Sequence, residues 1–245
     1  MIVDVHAHLW GAHPEEDKKK ILQVAEQFSV DKVMVSTLQS YVPSQEEIRT
    51  NNELTWGFMK EHPELMMGYC YLNPRNPEAM DELRTCVEDH GFCGVKLWTS
   101  TFCDDPLVNP IAEKCIEYDI PILIHCFYKS VDQLPYETLG ENVAKLARRY
   151  PEAKLLMAHI GANCVRELRP VKNCPNVFAD FSGSINHADD LPYAVKMLGT
   201  DRVLFGTDMP DIDYTISYSQ VLEADLNDAQ KTQILGGNAE KLFKL

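Results

Sequence analysis

The chain has 245 residues, of which 45% are hydrophobic, and its formal net charge is −14 at pH 7. This length and hydrophobic content are sufficient for one enzyme-sized domain with a substantial core, which we expect to cover residues 1–245. The acidic balance argues against nucleic acid or an anionic membrane as the main partner, and no apolar stretch is long enough to span a bilayer.

The first predicted strand carries the most informative motif of the chain. The apolar run at residues 2–5 leads directly into His6 and His8. Alternate residues of a strand share a face, so these two imidazoles are expected to project side by side. Two neutral imidazoles in that arrangement can chelate a divalent metal. An isolated His-x-His is also compatible with a pair of core or surface histidines.

Strands and helices then alternate along the whole chain. The predicted strands cover residues 1–8, 32–36, 66–71, 93–98, 120–124, 153–158, 176–181 and 202–207. The predicted helices cover residues 14–28, 45–61, 76–90, 106–118, a segment ending near 150, 164–172 and 188–198. Eight βα units at even spacing predict a single (β/α)₈ TIM barrel with a C-terminal helix. A doubly wound open sheet is the structural alternative.

Three later strands also end in residues that can bind metals. The apolar runs of the fifth, sixth and eighth strands end at His125, His159 and Asp208. Near-continuous apolar runs are typical of parallel strands buried on both faces, and the carboxyl ends of barrel strands line the active-site mouth. Barrel closure would bring the first and eighth strands together, so that His6, His8 and Asp208 could share an ion.

Eight cysteines are scattered along the chain without a Cys-x-x-Cys pair. Several of them lie in apolar segments, where a free cysteine behaves as a small buried hydrophobe. Because no charged and then apolar leader is recognisable, we expect reduced thiols rather than a disulfide framework. The expected location is the cytoplasm.

The strand-end motifs resemble those of the amidohydrolase superfamily, specifically its amidohydrolase-related branch. That branch includes the aminocarboxymuconate semialdehyde decarboxylase-like enzymes. The resemblance rests on Asp-Val-His-Ala-His at 4–8, Ile-His at 124–125, Ala-His-Ile-Gly at 158–161, Leu-Phe-Gly-Thr-Asp-Met-Pro at 204–210 and the closing segment at 234–243. It therefore runs the full length of the chain, and the order and spacing of the motifs make it specific.

The resemblance implies that His6, His8, His125 and Asp208 bind one divalent cation. Zinc is the first expectation, and manganese, iron or cobalt would also suit three imidazoles and one carboxylate. Such a donor set leaves positions open for water and substrate, and the metal can lower the pKa of bound water to about 7. Asp208 can both touch the metal and accept a proton from that water as a general base.

The resemblance also implies a catalytic role for His159, beside the ligands, in polarising a substrate carbonyl or moving a proton. Gly161 follows it closely and is expected to leave room for substrate. The alternative is a core histidine that is hydrogen-bonded to the backbone.

Lys96, on the predicted fourth strand, has two interpretations. Binuclear members of the superfamily carry a carboxylated lysine at the end of this strand, where it bridges two metals. Many members of the amidohydrolase-related branch work with one metal, and we favour a mononuclear site. Lys96 is then expected to bind a substrate carboxylate or to form a buried ion pair.

Four aromatic residues follow the first, fourth and fifth strands. Trp10, Trp98, Phe127 and Tyr128 could form an aromatic wall around the substrate. Packing at the barrel rim is an equal alternative, and the sequence does not separate the two.

Three functions fit these residues. The leading interpretation is metal-dependent hydrolysis of a small amide, lactone or related ester by metal-activated water. The first alternative is non-oxidative, metal-dependent decarboxylation of a small unsaturated or aromatic acid, and the second is an inactive metal-binding protein. A small-molecule substrate, with a carboxylate among the candidates, is the expected partner. The sequence leaves the oligomeric state open, including a homo-oligomer.

Overall fold

The structure is a computed structural model that describes residues 1–183 and 187–245. Eight strands pair in parallel in their order along the chain, β1 to β8. The strands are β1 (Val3–Trp10), β2 (Lys32–Leu38), β3 (Met66–Leu72), β4 (Gly94–Leu97), β5 (Ile122–Ile124), β6 (Leu155–Met157), β7 (Val177–Asp180) and β8 (Val203–Leu204).

Helices cross between successive strands and continue after the last one. They are α1 (Pro14–Phe28), α2 (Gln45–Glu61), α3 (Ala79–Arg84), α4 (Asn109–Tyr118), α5 (Gly140–Arg149), α6 (Cys164–Val171), α7 (Asp190–Leu198), α8 (Tyr214–Glu223), α9 (Asp228–Thr232) and α10 (Asn238–Phe243). None of the helices in the described parts of the chain is long and apolar enough to cross a membrane.

Backbone hydrogen bonds join the two ends of the sheet. Val5 N donates to Phe205 O at 3.0 Å, and Asp208 N donates to His6 O at 2.7 Å. Residues just beyond β8 therefore pair with β1 and close the barrel. This confirms the predicted (β/α)₈ TIM barrel and excludes the open, doubly wound alternative.

Two apolar layers hold the barrel together. One buried cluster draws side chains from six strands, including Val5, Met34, Leu123 and Leu156, together with Leu242 of α10. Because these strands lie all around the barrel, the cluster fills its interior. A second, larger cluster combines residues of the strands and of the helices around them.

Some predicted elements are shorter in the structure. The helix predicted over residues 76–90 is α-helical only at Ala79–Arg84 and continues as a π-helical turn at Thr85–Asp89. The closing segment is likewise a π-helical turn, Gln233–Gly237, followed by α10. Hydrophobic periodicity does not distinguish a wide turn from an α-helical one. All eight cysteines are unpaired, as expected.

Candidate metal centre

Three of the predicted ligand residues converge on one point. The Nε2 atoms of His6 and His8 lie 3.0 Å apart, and Asp208 Oδ1 lies 3.5 Å and 3.3 Å from them. One ligand atom from each residue lies within 4.8 Å of the other two. β1 presents both imidazoles on one side, and the pairing of the chain beyond β8 with β1 brings the carboxylate to them.

Hydrogen bonds orient both imidazoles. His8 Nδ1 lies 3.2 Å from the carbonyl oxygen of Ser36, which can only accept, so Nδ1 carries the proton and Nε2 keeps its lone pair. His6 Nδ1 lies 3.1 Å from Asp180 Oδ2 and is held in the same way. Two nitrogen lone pairs and the Asp208 carboxylate then face one another. Such a group of acceptors fits a cation. The hydrogen bonds at the two Nδ1 atoms hold the imidazole rings in the orientation that metal binding needs.

The protonation states agree with this donor set. Burial lowers the pKa of His6 well below its usual value. Burial would raise the pKa of Asp208, but the nearby His159, together with His8 and His6, holds it well below its usual range. Neutral imidazole and ionised carboxylate are the forms that bind a divalent cation.

Lys96 extends into the same group. Its Nζ lies 3.0 Å from His6 Nε2, and the residue is fully buried. Burial lowers the pKa of Lys96 to about 8, although the charges of Asp208 and Asp180 act in the opposite direction. Among the described residues its side chain is hydrogen-bonded to His6 alone, so the ammonium has no direct carboxylate partner there.

His125 lies beside His159 rather than within the converging group. His125 Nδ1 is 3.2 Å from His159 Nε2, and His125 Nε2 is 3.0 Å from Glu137 Oε1. His159 Nδ1 lies 3.2 Å from the carbonyl oxygen of Ser182, and burial lowers the pKa of His159 to about 4. A metal-binding role for His125 and a catalytic role for His159 remain predictions.

The backbone is strained where two of these side chains leave their strands. His159 has φ 59° and Asp208 has φ 66°, in the left-handed region that costs a non-glycine residue about 1–2 kcal/mol. Gly161 has φ 73°, and a Cβ there would lie 2.2 Å from the Cβ of Glu167. The expectation that Gly161 leaves room for substrate is therefore wrong, because the side chain of Glu167 fills that space.

A cavity of about 150 Å³ opens onto the converging group. Beside His8 and Asp208, its wall includes Trp10, Trp98, Lys96, His125, His159 and Asp211. The rings of the two tryptophans are 5.9 Å apart. A larger cleft of about 570 Å³ lies between the loops after β5, β6 and β7, and contains none of these histidines.

Of the four aromatic residues, Tyr128 lines the larger cleft, and the other three divide into two roles. Trp10 and Trp98 line the cavity, as a substrate wall would require. Phe127 instead stacks on His125, with ring centroids 5.8 Å apart, and also contacts His159 edge-on. It therefore packs behind the two histidines and is not part of the cavity lining.

Two buried acids of the site were not identified from the sequence. Asp180 ends β7, so its strand-end position was a signal that could have revealed it. Glu137 is 2% exposed in the loop after β5 and accepts hydrogen bonds from Lys129, Gln133 and the backbone of Leu134, besides facing a histidine. No sequence pattern marks it.

A sequence model of the amidohydrolase family matches residues 3–245. A 2-keto-4-carboxy-3-hexenedioate hydratase from Sphingobium sp. is 25% identical over 74% of this chain and 66% of its own length. A 2-amino-3-carboxymuconate-6-semialdehyde decarboxylase from Dictyostelium discoideum is 23% identical over 76% of this chain and 63% of its own length. A gamma-resorcylate decarboxylase from Polaromonas sp. is 24% identical over 89% and 82%. The chain thus spans less than two thirds of the length of the first two relatives.

Solved structures share the same barrel fold. A 2,6-dihydroxybenzoate decarboxylase in complex with 2,6-dihydroxybenzoate has a TM-score of 0.79 at 18% identity, over 100% of this chain and 99% of that one. A dihydroxybenzoic acid decarboxylase from Polaromonas sp., with bound manganese and the inhibitor 2-nitroresorcinol, has a TM-score of 0.77 at 18% identity, over 100% and 97%.

Proposed function

Since the chain belongs to the amidohydrolase family, we propose that it is a metal-dependent enzyme that removes CO₂ without oxidation from a small unsaturated or aromatic carboxylic acid. The observation that supports this function most strongly is a cavity at the converging His–His–Asp group whose wall also contains a buried lysine and two tryptophans. Two decarboxylases and a hydratase among the relatives favour this function over the hydrolysis expected first from the sequence.

His6, His8 and Asp208 would hold one divalent ion, and His125 is the proposed fourth ligand. The bound ion would supply the positive charge that orients the substrate carboxylate or a neighbouring oxygen. A nitrogen-rich donor set suits zinc. The solved Polaromonas decarboxylase structure holds manganese, so both ions should be tried.

The chain's own side chains perform the remaining tasks. Lys96 binds the substrate carboxylate, because a buried ammonium without a carboxylate partner is stabilised by an anion. Trp10 and Trp98 pack against the unsaturated plane. His159 lines the same cavity and is neutral near pH 7, so it can accept a proton and deliver it to the carbon that loses CO₂. Asp208 stays ionised and balances the cationic charge.

The test is a substrate panel on protein loaded with zinc or manganese. Hydroxybenzoates and short unsaturated acids are assayed for released CO₂, and lactones and amides for released acid or amine. We expect CO₂ in equal amount to the acid consumed, with loss of activity when a chelator removes the metal. Release of acid or amine without CO₂ would establish the hydrolase instead, and metal binding without any turnover would establish a binding protein.

The cysteines support a location for this enzyme. All eight are unpaired, and most are buried. Free thiols persist in reducing compartments. We therefore propose that the protein acts in the cytoplasm.

A further inference from the structure

A carboxylate that belongs to none of the strand-end motifs lies at the rim of the cavity. Asp211 follows Asp208 by three residues and is exposed. The indole Nε1 of Trp10 donates a hydrogen bond to Asp211 Oδ1 at 2.9 Å. This bond orients the carboxylate on the cavity wall, and no hydrogen bond within the described residues uses its other oxygen.

Apart from Asp208, whose carboxylate belongs to the converging group, the cavity has charges of opposite sign at two places. Lys96 is the single lysine or arginine among the described residues that line it, and it is buried beside His6. Asp211 adds a negative charge at the rim. Within the described residues no lysine or arginine forms an ion pair with Asp211, and its side-chain hydrogen-bond partner is the neutral indole of Trp10.

Size limits the ligand as well. A cavity of about 150 Å³ accommodates a benzene-sized molecule. A ligand with one ring and a carboxylate at Lys96 would place its other substituents near the tryptophans and the rim carboxylate.

We propose that Asp211 selects the substrate: it accepts a hydrogen bond from a hydroxyl or amino group and disfavours a second carboxylate. The substrate class is then a monocarboxylic ring acid that carries a hydroxyl or amino group. This inference rests on the proposed function for the carboxylate bound at Lys96. Its physical basis is that a carboxylate accepts but cannot donate, and that two like charges in a partly buried site repel.

Calorimetric titration of the zinc-loaded protein tests this selection. The probes are benzoate, the three monohydroxybenzoates and the three benzenedicarboxylates. We expect the best hydroxybenzoate to bind about tenfold more tightly than benzoate, the usual scale for a hydrogen bond to a charged group, and the dicarboxylates to bind more weakly than benzoate.

Two variants separate hydrogen bonding from charge. Asp211→Ala should abolish both the hydroxyl preference and the discrimination against dicarboxylates. Asp211→Asn keeps an acceptor oxygen, so it should abolish the discrimination against dicarboxylates but retain part of the hydroxyl preference. Glu223→Gln is the matched control, since it removes the same charge from an exposed position at the end of α8 and should change neither.

Unchanged ligand ratios in Asp211→Ala, or no hydroxyl preference in the wild type, would overturn the inference. Its failure is distinguishable from that of the proposed function. Selective binding that depends on Asp211 without any CO₂ release would count against decarboxylation alone. Decarboxylation with selectivity independent of Asp211 would count against this inference alone.

Discussion

Lys96 Nζ and His6 Nε2 are 3.0 Å apart in the buried centre of the barrel mouth. His6 Nδ1 faces the carboxylate of Asp180, so its Nε2 offers a lone pair, and the ammonium donates to it. A metal ion held by His6 needs that same lone pair. Metal binding must therefore turn the ammonium away from the imidazole, which leaves Lys96 available to a substrate carboxylate.

Replacing Lys96 tests this relationship and the metal count. In a mononuclear site, Lys96→Met should leave the metal content at about one ion per chain and mainly raise KM, because the carboxylate loses its cationic partner. Metal analysis of the purified protein and steady-state kinetics give the two readouts.

A carboxylated Lys96 that bridges two ions predicts a different result. The same variant would then lose one of two metals, and added bicarbonate would help to reconstitute the wild-type apo-protein. Two ions per wild-type chain and fewer in the variant would contradict the mononuclear site.

Removing both β1 histidines should remove the metal. The double variant His6→Ala/His8→Ala deletes two of the three converging ligands, so neither metal nor activity should remain. The circular dichroism spectrum of the double variant should match that of the wild-type barrel, because strand pairing does not use these side chains. His13→Ala/His62→Ala, which changes two histidines outside the converging group, is the control. Full metal content in the His6/His8 variant would refute the ligand assignment.

His159 should act on turnover rather than on metal binding. We expect His159→Asn to keep its metal and to lose at least about 100-fold in kcat, the lower end of the range for a positioned proton-transfer group. The exposed His187→Asn serves as the control. Wild-type turnover in His159→Asn would reduce His159 to a structural residue.

Glu137 should contribute to metal affinity through the ring of His125. Glu137→Gln removes the charge that faces His125 Nε2 at 3.0 Å, and loss of such a partner typically costs about 10- to 100-fold in metal affinity. Competition with a chromophoric chelator measures this. The control is Glu141→Gln, which changes an exposed glutamate of α5. If the metal affinity of Glu137→Gln equals that of the wild type, Glu137 does not support His125 as a metal ligand.

Asp4 should give the metal-free protein a distinctive pH dependence. Burial raises the pKa of this carboxyl from 3.8 to about 7, while hydrogen bonds from Thr207 and His6 oppose the shift. At pH values between these two pKa values, the Asp4 carboxyl loses its proton in the unfolded chain and keeps it in the folded chain. The contribution of Asp4 to the free energy of unfolding therefore falls as pH rises.

Asp4→Asn removes this titration. The unfolding free energy of the wild type minus that of the variant should decrease between pH 5 and pH 7, by at most about 1.4 kcal/mol per pH unit. Denaturant titrations of both metal-free proteins measure it. A difference that stays constant with pH would contradict the raised pKa.

The sequence by itself determined the architecture and the β1 pair. α1 and α2 begin and end where the apolar spacing predicts, because each buries one regular stripe against the sheet. The strand period of two placed His6 and His8 on one side, and barrel closure brought Asp208 to them. These features depend on local periodicity and on a fold with a fixed strand order, both of which a pattern of residues can encode.

The tertiary structure alone decided which partner each polar side chain meets. Lys96 contacts His6 across 90 positions of the chain, and His125 points its two nitrogens at His159 and Glu137. Such contacts depend on the stagger of the strands, on left-handed residues at the strand ends and on the path of the loop after β5. Hydrophobic periodicity specifies which face a residue occupies, but the distance between two side chains across a barrel is set by how all eight strands pack together.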